Sequence, residues 1–359
     1  MKKMSLRKLV GSSSWLFILM VGCFMIGVLA FAPPARSAAA DKLVFTSLPP
    51  GTKWYTDMVS LSQIVNRYSD LVTIVQPVPA PPAMTGLVQA GQAHLGMDPS
   101  DSFYYTVNGL GGNPGFDEGY NYYKGKPLKN LRILVGADTQ YYALFTTSAA
   151  GIKTIPDLKG KKVAGYFPGW AVSNYTNAML LAYGLDPKKD VQMVKFGRTT
   201  QAVEALIAGK VDAVCTSLAG AKIVELEAKA GIVVLPFDPS KIDFLKKIAP
   251  TVGIGSPPPY TPGMPKDKSL TVSTNRNYLY VNKNLDEKAA YTLAKTILEH
   301  AAELARVADY FQEYNVQSAV VNDFIAPYHP GAVKYFKEKG VWTDAHEMHQ
   351  KDLLKQFEN

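Results

Sequence analysis

The chain has 359 residues, 47% of them hydrophobic, and a formal charge of +8 at pH 7. Lys2, Lys3, Arg7, Lys8 and Arg36 supply five of those charges with no acid among the first 40 residues, so removing that stretch leaves +3. So mild and scattered a balance excludes a nucleic-acid partner, and a chain of this length exceeds what one core serves, which predicts two lobes.

The first 40 residues read as a leader. A basic start precedes the almost wholly apolar Leu9–Ala32, and Ser37–Ala40 offers small residues before Asp41. This is the pattern of a cleaved secretory signal peptide, and it predicts a periplasmic mature protein. The apolar run is also long enough to anchor the chain if it stays uncleaved. Cys23, after Met20-Val21-Gly22, is an alternative point of lipid attachment. Cleavage leaves Cys215 alone in an apolar strand, where it reads as an inert core residue that forms no intrachain disulfide.

Leu43–Ser47 then predicts a strand, Pro50-Gly51 a tight turn, and Trp54–Tyr68 a helix burying Leu61, Ile64, Val65 and Tyr68. Val72–Gln76 is a second strand, Pro77–Pro82 a stiff loop, and Met84–Ala90 a short helix closed by Gly91. His94–Asp98 is a third strand and ends on Asp98, Pro99, Ser100 and Asp101. Asn108–Asn130 reads as a surface loop rich in Gly, Asn and Tyr. Leu131–Thr147 is one long extended stretch, suited to crossing between lobes.

The first pattern then recurs. Lys162–Phe167 is a strand, Pro168-Gly169 a turn, Ser173–Tyr183 a helix and Val191–Phe196 a strand. Thr200–Ala208 is a helix closed by Gly209, and Asp212–Thr216 another strand. A shift of 118 residues carries Pro50-Gly51 onto Pro168-Gly169 and Ala90-Gly91 onto Ala208-Gly209. Gly253–Pro265 is too rich in proline for regular structure. Leu270–Val281 is a second crossing stretch, and Asp286–Phe311 is helical with Ala290, Leu293, Ala294, Ile297, Ala301 and Leu304 as its buried stripe. Two crossings make a hinge.

With those elements in place, the chain resembles the TAXI-type solute receptors of TRAP transporters, a group of periplasmic solute-binding proteins. The residues that carry the resemblance are Gly51-Thr52 with Tyr55, Gly91–Gly96 (GQAHLG), Gly151–Val163 (GIKTIPDLKGKKV), Ala205–Ala213 (ALIAGKVDA) and Tyr328–Gly340 (YHPGAVKYFKEKG). It implies an α/β, two-lobed, type II-like binding-protein fold. Each lobe would be a mainly parallel sheet flanked by helices, with two hinge crossovers between them. Residues 41–140 and 275–359 would form lobe 1, and 141–274 lobe 2. It also implies that the loops after the strands line the ligand site. Three loops depart from the family pattern. Pro50-Gly51-Thr52-Lys53-Trp54-Tyr55 stands for Gly-Gly-Thr-Tyr-Tyr, Ala80-Pro81-Pro82-Ala83-Met84 for Gly-Ser-x-x-Asn, and Pro168-Gly169-Trp170-Ala171 for Gly-Ser-Gly-Thr. Small hydrogen-bonding groups have become Pro, Met and Trp, which predicts an acid with an apolar or aromatic part in place of a glutamate-like one.

The candidate site follows from these loops. Trp54 and Trp170 both follow Pro-Gly turns and are expected to wall the cleft, with core packing as the alternative. Gly51, Thr52 and Tyr55 accompany the first, and Phe167, Pro168, Gly169, Ser173 and Asn174 the second; Met84 and Ser100 belong to neighbouring loops. Helix starts near Gly51 and Gly169 suit a carboxylate. Arg198 is a bidentate carboxylate partner or a surface residue, and Lys53 an anion partner or a solvated end. Asp98 and Asp101 hold a ligand ammonium or cap a helix. Thr216 and Ser217 are donors at the matching strand end, and Tyr141 and Tyr142 face either the hinge or the core.

Catalysis has little support. There is no G-x-S-x-G, no P-loop and no zinc spacing, and His346-x-x-His349 reads as a solvated pair. No cofactor and no metal are expected. The sequence thus predicts a monomeric receptor that delivers a small organic acid to a TRAP-type permease. A ligand-presenting sensor for a receptor kinase and a secreted enzyme are the alternatives.

Overall fold

The computed structural model describes residues 42–110, 123–167, 170–247 and 249–358. The leader, including Cys23, and the Pro168-Gly169 turn lie outside the described residues. No helix among the described residues is long and apolar enough to cross a membrane.

Strand β1 (Leu43–Ser47) alternates with helix α1 (Lys53–Tyr68), strand β2 (Thr73–Pro77), helix α2 (Pro81–Gln89), strand β3 (Gly96–Pro99) and helix α3 (Ser100–Asn108). The long strand β4 (Leu131–Thr147) leads to β5 (Lys162–Tyr166), α4 (Ala171–Ala182), β6 (Gln192–Phe196), α5 (Thr199–Ile207), β7 (Val214–Ser217), α6 (Ala221–Ala230) and β8 (Ile232–Leu235). After α7 (Ile242–Lys246) and β9 (Gly253–Gly255) comes β10 (Val272–Asn282). Helices α8 (Glu287–Glu299), α9 (Ala301–Leu304), α10 (Val316–Ala319), α11 (Pro330–Glu338) and α12 (Asp344–Glu358) complete the chain.

Two sheets of the same design result. In the first, β1 pairs in parallel with β2, and a parallel bridge at Phe45 and Leu95 joins β1 to the segment entering β3. β3 then pairs antiparallel with β10, and β10 with β4, giving the order β2-β1-β3-β10-β4. In the second, β5 pairs in parallel with β6, the bridge is at Val163 and Ala213, and β7 pairs antiparallel with β4, whose far edge takes β8. The order is β6-β5-β7-β4-β8. Parallel pairs joined through helices, with an antiparallel crossing strand beside them, make each sheet an α/β layer. β4 runs through both sheets, and β10 pairs with it from Asn282 back to Ser273. The fold is two-lobed α/β, joined by two crossing strands.

The 118-residue repeat is built into this backbone. It carries Pro81–Gln89 onto Thr199–Ile207, Gly96–Pro99 onto Val214–Ser217, and the Phe45–Leu95 bridge onto the Val163–Ala213 bridge. Gly91 and Gly209 match in conformation, with φ of 71° and 66°.

The structure differs from the expected elements in several places; α3, α6 and β8 have no expected counterpart, and Tyr68, expected on the buried face of α1, is 40% exposed. Pro81 and Pro82 open α2 instead of ending a loop; proline fits the first helical turn because its missing N–H has no partner there anyway. The proline-rich stretch includes a short strand, β9, paired with β10 at Gly253–Gly255. The Asp286–Phe311 helix breaks after Glu299 into α8, α9 and a 3-10 turn at Asp309–Glu313, although the whole expected stripe is buried. The first turn of α11 packs against α8 so closely that a Cβ on Gly331 would stand 2.3 Å from the Glu287 carbonyl oxygen. His329 caps this helix by accepting from the Gly331 N–H at 3.2 Å.

Candidate functional site

A cavity of about 80 Å³ lies where the two sheets' strand ends meet. One wall carries Leu48, Gly51, Thr52, Trp54, Pro81 and Asp98; the other carries Trp170, Val172, Thr200, Val203, Thr216 and Ile223; Gln140 and Tyr142 of β4 close the base. α1, α2, α4, α5 and α6 all bring residues of their N-terminal turns or N-caps to it. Of these only α1 has a side-chain cap: Thr52 Oγ1 accepts from the Tyr55 N–H at 3.3 Å. α2, α4, α5 and α6 have no side-chain cap. A helix start without a capping side chain leaves N–H donors and a positive dipole end for an anion, and here α4, α5 and α6 supply those donors, since Pro81 and Pro82 remove the first two of α2. Trp54 and Trp170 are only 7% and 6% exposed, so they pack into the core and line the cavity at once. Tyr142 stacks on Tyr175 with ring centroids 4.9 Å apart, which fixes the base.

Asp98 is the acid in this cavity. It is buried; Ser102 bonds to it, but Oδ1 has no hydrogen-bond partner among the described residues. Burial, reinforced by the nearby Asp101 charge, holds its carboxyl well above the ordinary range. Neither acid caps α3, whose N-cap is Pro99. Lys222 reaches the cavity wall, but Glu204 and Glu225 hold its ammonium at 3.1 and 2.7 Å.

Lys53 is neither solvated nor open to an anion, contrary to both expectations. It is buried, with its ammonium 2.5 Å from Asp57 and 3.0 Å from Asp138 and 4.0 Å from the centre of the Tyr310 ring. Burial alone would pull the ammonium down; the Asp138 and Asp57 charges more than reverse that and keep it protonated. Two carboxylates share this one cation, so burial prevails at Asp57, which is pushed up to about 6. Tyr310 donates to Asp57 at 2.7 Å. Lys53, Ser217, Ala219 and Gly220 line both this cavity and a second one of about 380 Å³, and form the septum between them. At Gly220 φ is +108°, and a Cβ there would stand 3.2 Å from the Lys53 backbone nitrogen. The two lobes therefore touch backbone to backbone at a point that only glycine fits easily.

The structure brings Gly51, Thr52, Trp54, Asp98, Tyr142, Trp170, Thr216 and Ser217 together around the small cavity. Tyr141, the neighbour of Tyr142, faces the second cavity, because successive residues of a strand point to opposite faces. Pro168 and Gly169 lie outside the described residues. Seven further expected residues line neither cavity. Met84 is fully buried core. Ser100 is buried and donates to Thr251 Oγ1 and Asn275 Oδ1 at 3.0 and 2.9 Å. Ser173 and Asn174 are buried behind the mouth of α4, while Tyr55 sits half-buried on the first turn of α1. Phe167 is half exposed beside the turn. Arg198 is exposed at the N-cap of α5 and lines neither cavity. Sequence reasoning missed Gln140, Thr200, Ile223 and Lys222. The 118-residue shift links the cavity-lining Pro81 of the first lobe to Thr199, beside Thr200 in the same helical turn.

Cys215 is fully buried in β7, and burial pushes its thiol up to about 12. The histidine pair is not solvated. His346 accepts from the Thr343 N–H at 3.1 Å and bonds Asn322 at 3.0 Å, and His349 bonds the Phe324 carbonyl at 2.7 Å. Among the described residues there is no cluster suited to a metal ion.

Two repeated α/β sheets, two crossing strands and a cavity at the facing strand ends define a two-lobed fold of the periplasmic-binding-protein type. The chain belongs to the NMT1-like family, which matches residues 46–340. It is also similar to the amino acid ABC transporter substrate-binding protein AbpA from Streptococcus pneumoniae bound to L-arginine, at 14% identity, over 76% of this chain and 95% of that one, with a TM-score of 0.44. The periplasmic aliphatic sulphonate binding protein SsuA from Escherichia coli is 15% identical over 88% of this chain and 82% of its own, with a TM-score of 0.40. A histidine kinase sensor domain with similarity to periplasmic binding proteins is 12% identical over 76% and 94%, with a TM-score of 0.41.

Proposed function

We propose that this protein is an extracytoplasmic solute receptor that binds a small organic acid with an apolar or aromatic part in the 80 Å³ cavity and passes it to a TRAP-type permease, without turning it over. The observation that carries this reading is the meeting of uncapped helix starts with Trp54 and Trp170 across one cavity. The N–H groups suit a carboxylate, and the indoles suit a ring or branched chain. An engineered cavity of about 150 Å³ accommodates benzene, so this smaller space holds a ring only after the lobes open. Bending of β4 and β10 near residues 140 and 274, where they pair, is the motion that opens it. The permease and the subtype rest on the motif resemblance.

The test is a thermal-shift screen of the protein against carboxylates graded by ring content. A ligand at about a hundred times its dissociation constant stabilises by roughly 2.7 kcal/mol. A shift confined to aromatic or bulky acids, absent in Trp170→Ala, supports the reading. A shift with glutamate that Trp170→Ala leaves intact overturns the choice of ligand.

A further inference from the structure

The larger cavity has a different chemistry from the small one. It is bounded by Asp138, Thr139 and Tyr141 of β4 and by the Asp309–Glu313 turn on one side. On the other stand the start of α6 and the proline-rich loop at Pro258, Tyr260 and Pro262. Leu218, Val224 and Val307 make much of the lining apolar. The phenol rings of Tyr141, Tyr260 and Tyr310 also face it.

Its charges are lopsided. Asp138, Asp309 and Glu313 line it, and Asp57 stands behind Lys53. Two cations oppose these four acids. Lys53 is shared between Asp57 and Asp138, and Arg276 lies 3.6 Å from Glu313 while donating to the carbonyls of Ser318 and Gly136 at 2.9 and 3.2 Å. Glu313 itself accepts the Thr139 N–H at 2.8 Å. Beyond the effect of burial, Glu313, Asp309 and Asp138 all act on the Tyr260 phenol and hold it in its neutral form. Carboxylates beside neutral aromatic rings repel an anion and attract a cation. An organic cation gains from both the countercharge and the ring faces.

We propose that this second cavity binds an organic ammonium ion with an apolar body, held against the rings of Tyr141 and Tyr260 and balanced by Asp309 and Glu313. The site is separate from that of the acid, since Lys53 and Gly220 stand between the two, and it does not depend on the acid reading. It also gives the Gly253–Pro265 stretch a role. Its prolines stiffen a loop whose Tyr260 ring, 45% exposed, forms the outer wall.

The experiment is calorimetric titration of the protein with choline and with 3,3-dimethyl-1-butanol, which has the same shape without the charge. Saturable choline binding, about tenfold or more tighter than the neutral alcohol, is expected. Tyr260→Ala and Asp309→Asn should each weaken it roughly 3- to 30-fold. Both sit at the surface end of the cavity, so their melting curves check that they fold. Trp170→Ala, in the other cavity, should leave choline binding unchanged. Equal affinity for the alcohol overturns the proposal, as does absence of saturable choline binding. So does a choline affinity that Trp170→Ala abolishes while Tyr260→Ala and Asp309→Asn do not change it.

Discussion

The two lobes are copies in backbone and opposites in charge. The 118-residue shift lays Lys53 on Ala171, Asp57 on Tyr175 and Asp98 on Thr216. The first lobe thus brings a buried ammonium and a buried carboxyl to the cleft, with the Asp57 carboxyl behind them, where the second brings a methyl and a hydroxyl, with the Tyr175 ring behind. One α/β design tolerates both because the helix starts and strand ends are fixed by hydrogen bonds and packing. The side chains at the mouth remain free to differ. At these matched positions the ammonium and the carboxyls belong to one lobe, whereas the apolar shape of the cleft is shared by both.

Removing the charge from the first lobe gives the largest expected effect. Lys53→Met leaves Asp57 and Asp138 buried without a cation, which should cost about 3–5 kcal/mol in denaturant unfolding. Adding Asp57→Asn and Asp138→Asn should recover much of that loss. A small cost in Lys53→Met alone would mean that the cluster is solvated and that the lobes differ less than described.

Asp98→Asn sharpens the same contrast through pH. Because the folded state raises the Asp98 pKa, its protonated form is favoured on folding. The resulting stability is complete at low pH and is lost as pH rises from the unfolded value of about 4 through the folded one. The Asn variant lacks that loss, so its advantage should grow with pH at about 1.4 kcal/mol for each unit of raised pKa. Asp57 behaves alike between about pH 4 and 6. Thr216→Ala, the matching change in the second lobe, should leave the pH profile of stability unaltered.

Gly220→Ala should have the smallest effect, about 1–3 kcal/mol, because it forces a side chain onto an extended positive-φ backbone that glycine alone adopts readily and crowds the Lys53 nitrogen. The loss should appear together with weaker acid binding, since the contact at stake joins the lobes. A stability loss with unchanged acid binding would separate the septum from closure.

Much of this could be read from the residues. Apolar runs and Gly punctuation located β1 to β7 and β10 within a few residues, and the shift between Gly91 and Gly209 exposed the repeat. Trp54 and Trp170 were found because bulky rings after Pro-Gly turns have few places to go. Lys53 was misjudged because its partner Asp138 is distant in sequence, and no local pattern announces a pair made by tertiary packing. Arg198 was overvalued for the converse reason. A helix cap is visible in sequence, but which way the cap's side chain points is not. The second cavity was invisible because its walls come from α1, β4, α6, a proline-rich loop and the Asp309–Glu313 turn, five separate stretches of chain.

The place of β10 between β3 and β4 has a consequence for synthesis. Every strand of the second sheet has been made by residue Leu235, whereas the first sheet lacks the strand that joins β3 to β4 until Asn282 appears. The lobe that begins the chain is therefore the last to close. A truncation between Leu235 and Val272 should spare the later-encoded lobe and leave the earlier one open, with the side of its core that Leu279 and Val281 cover left exposed.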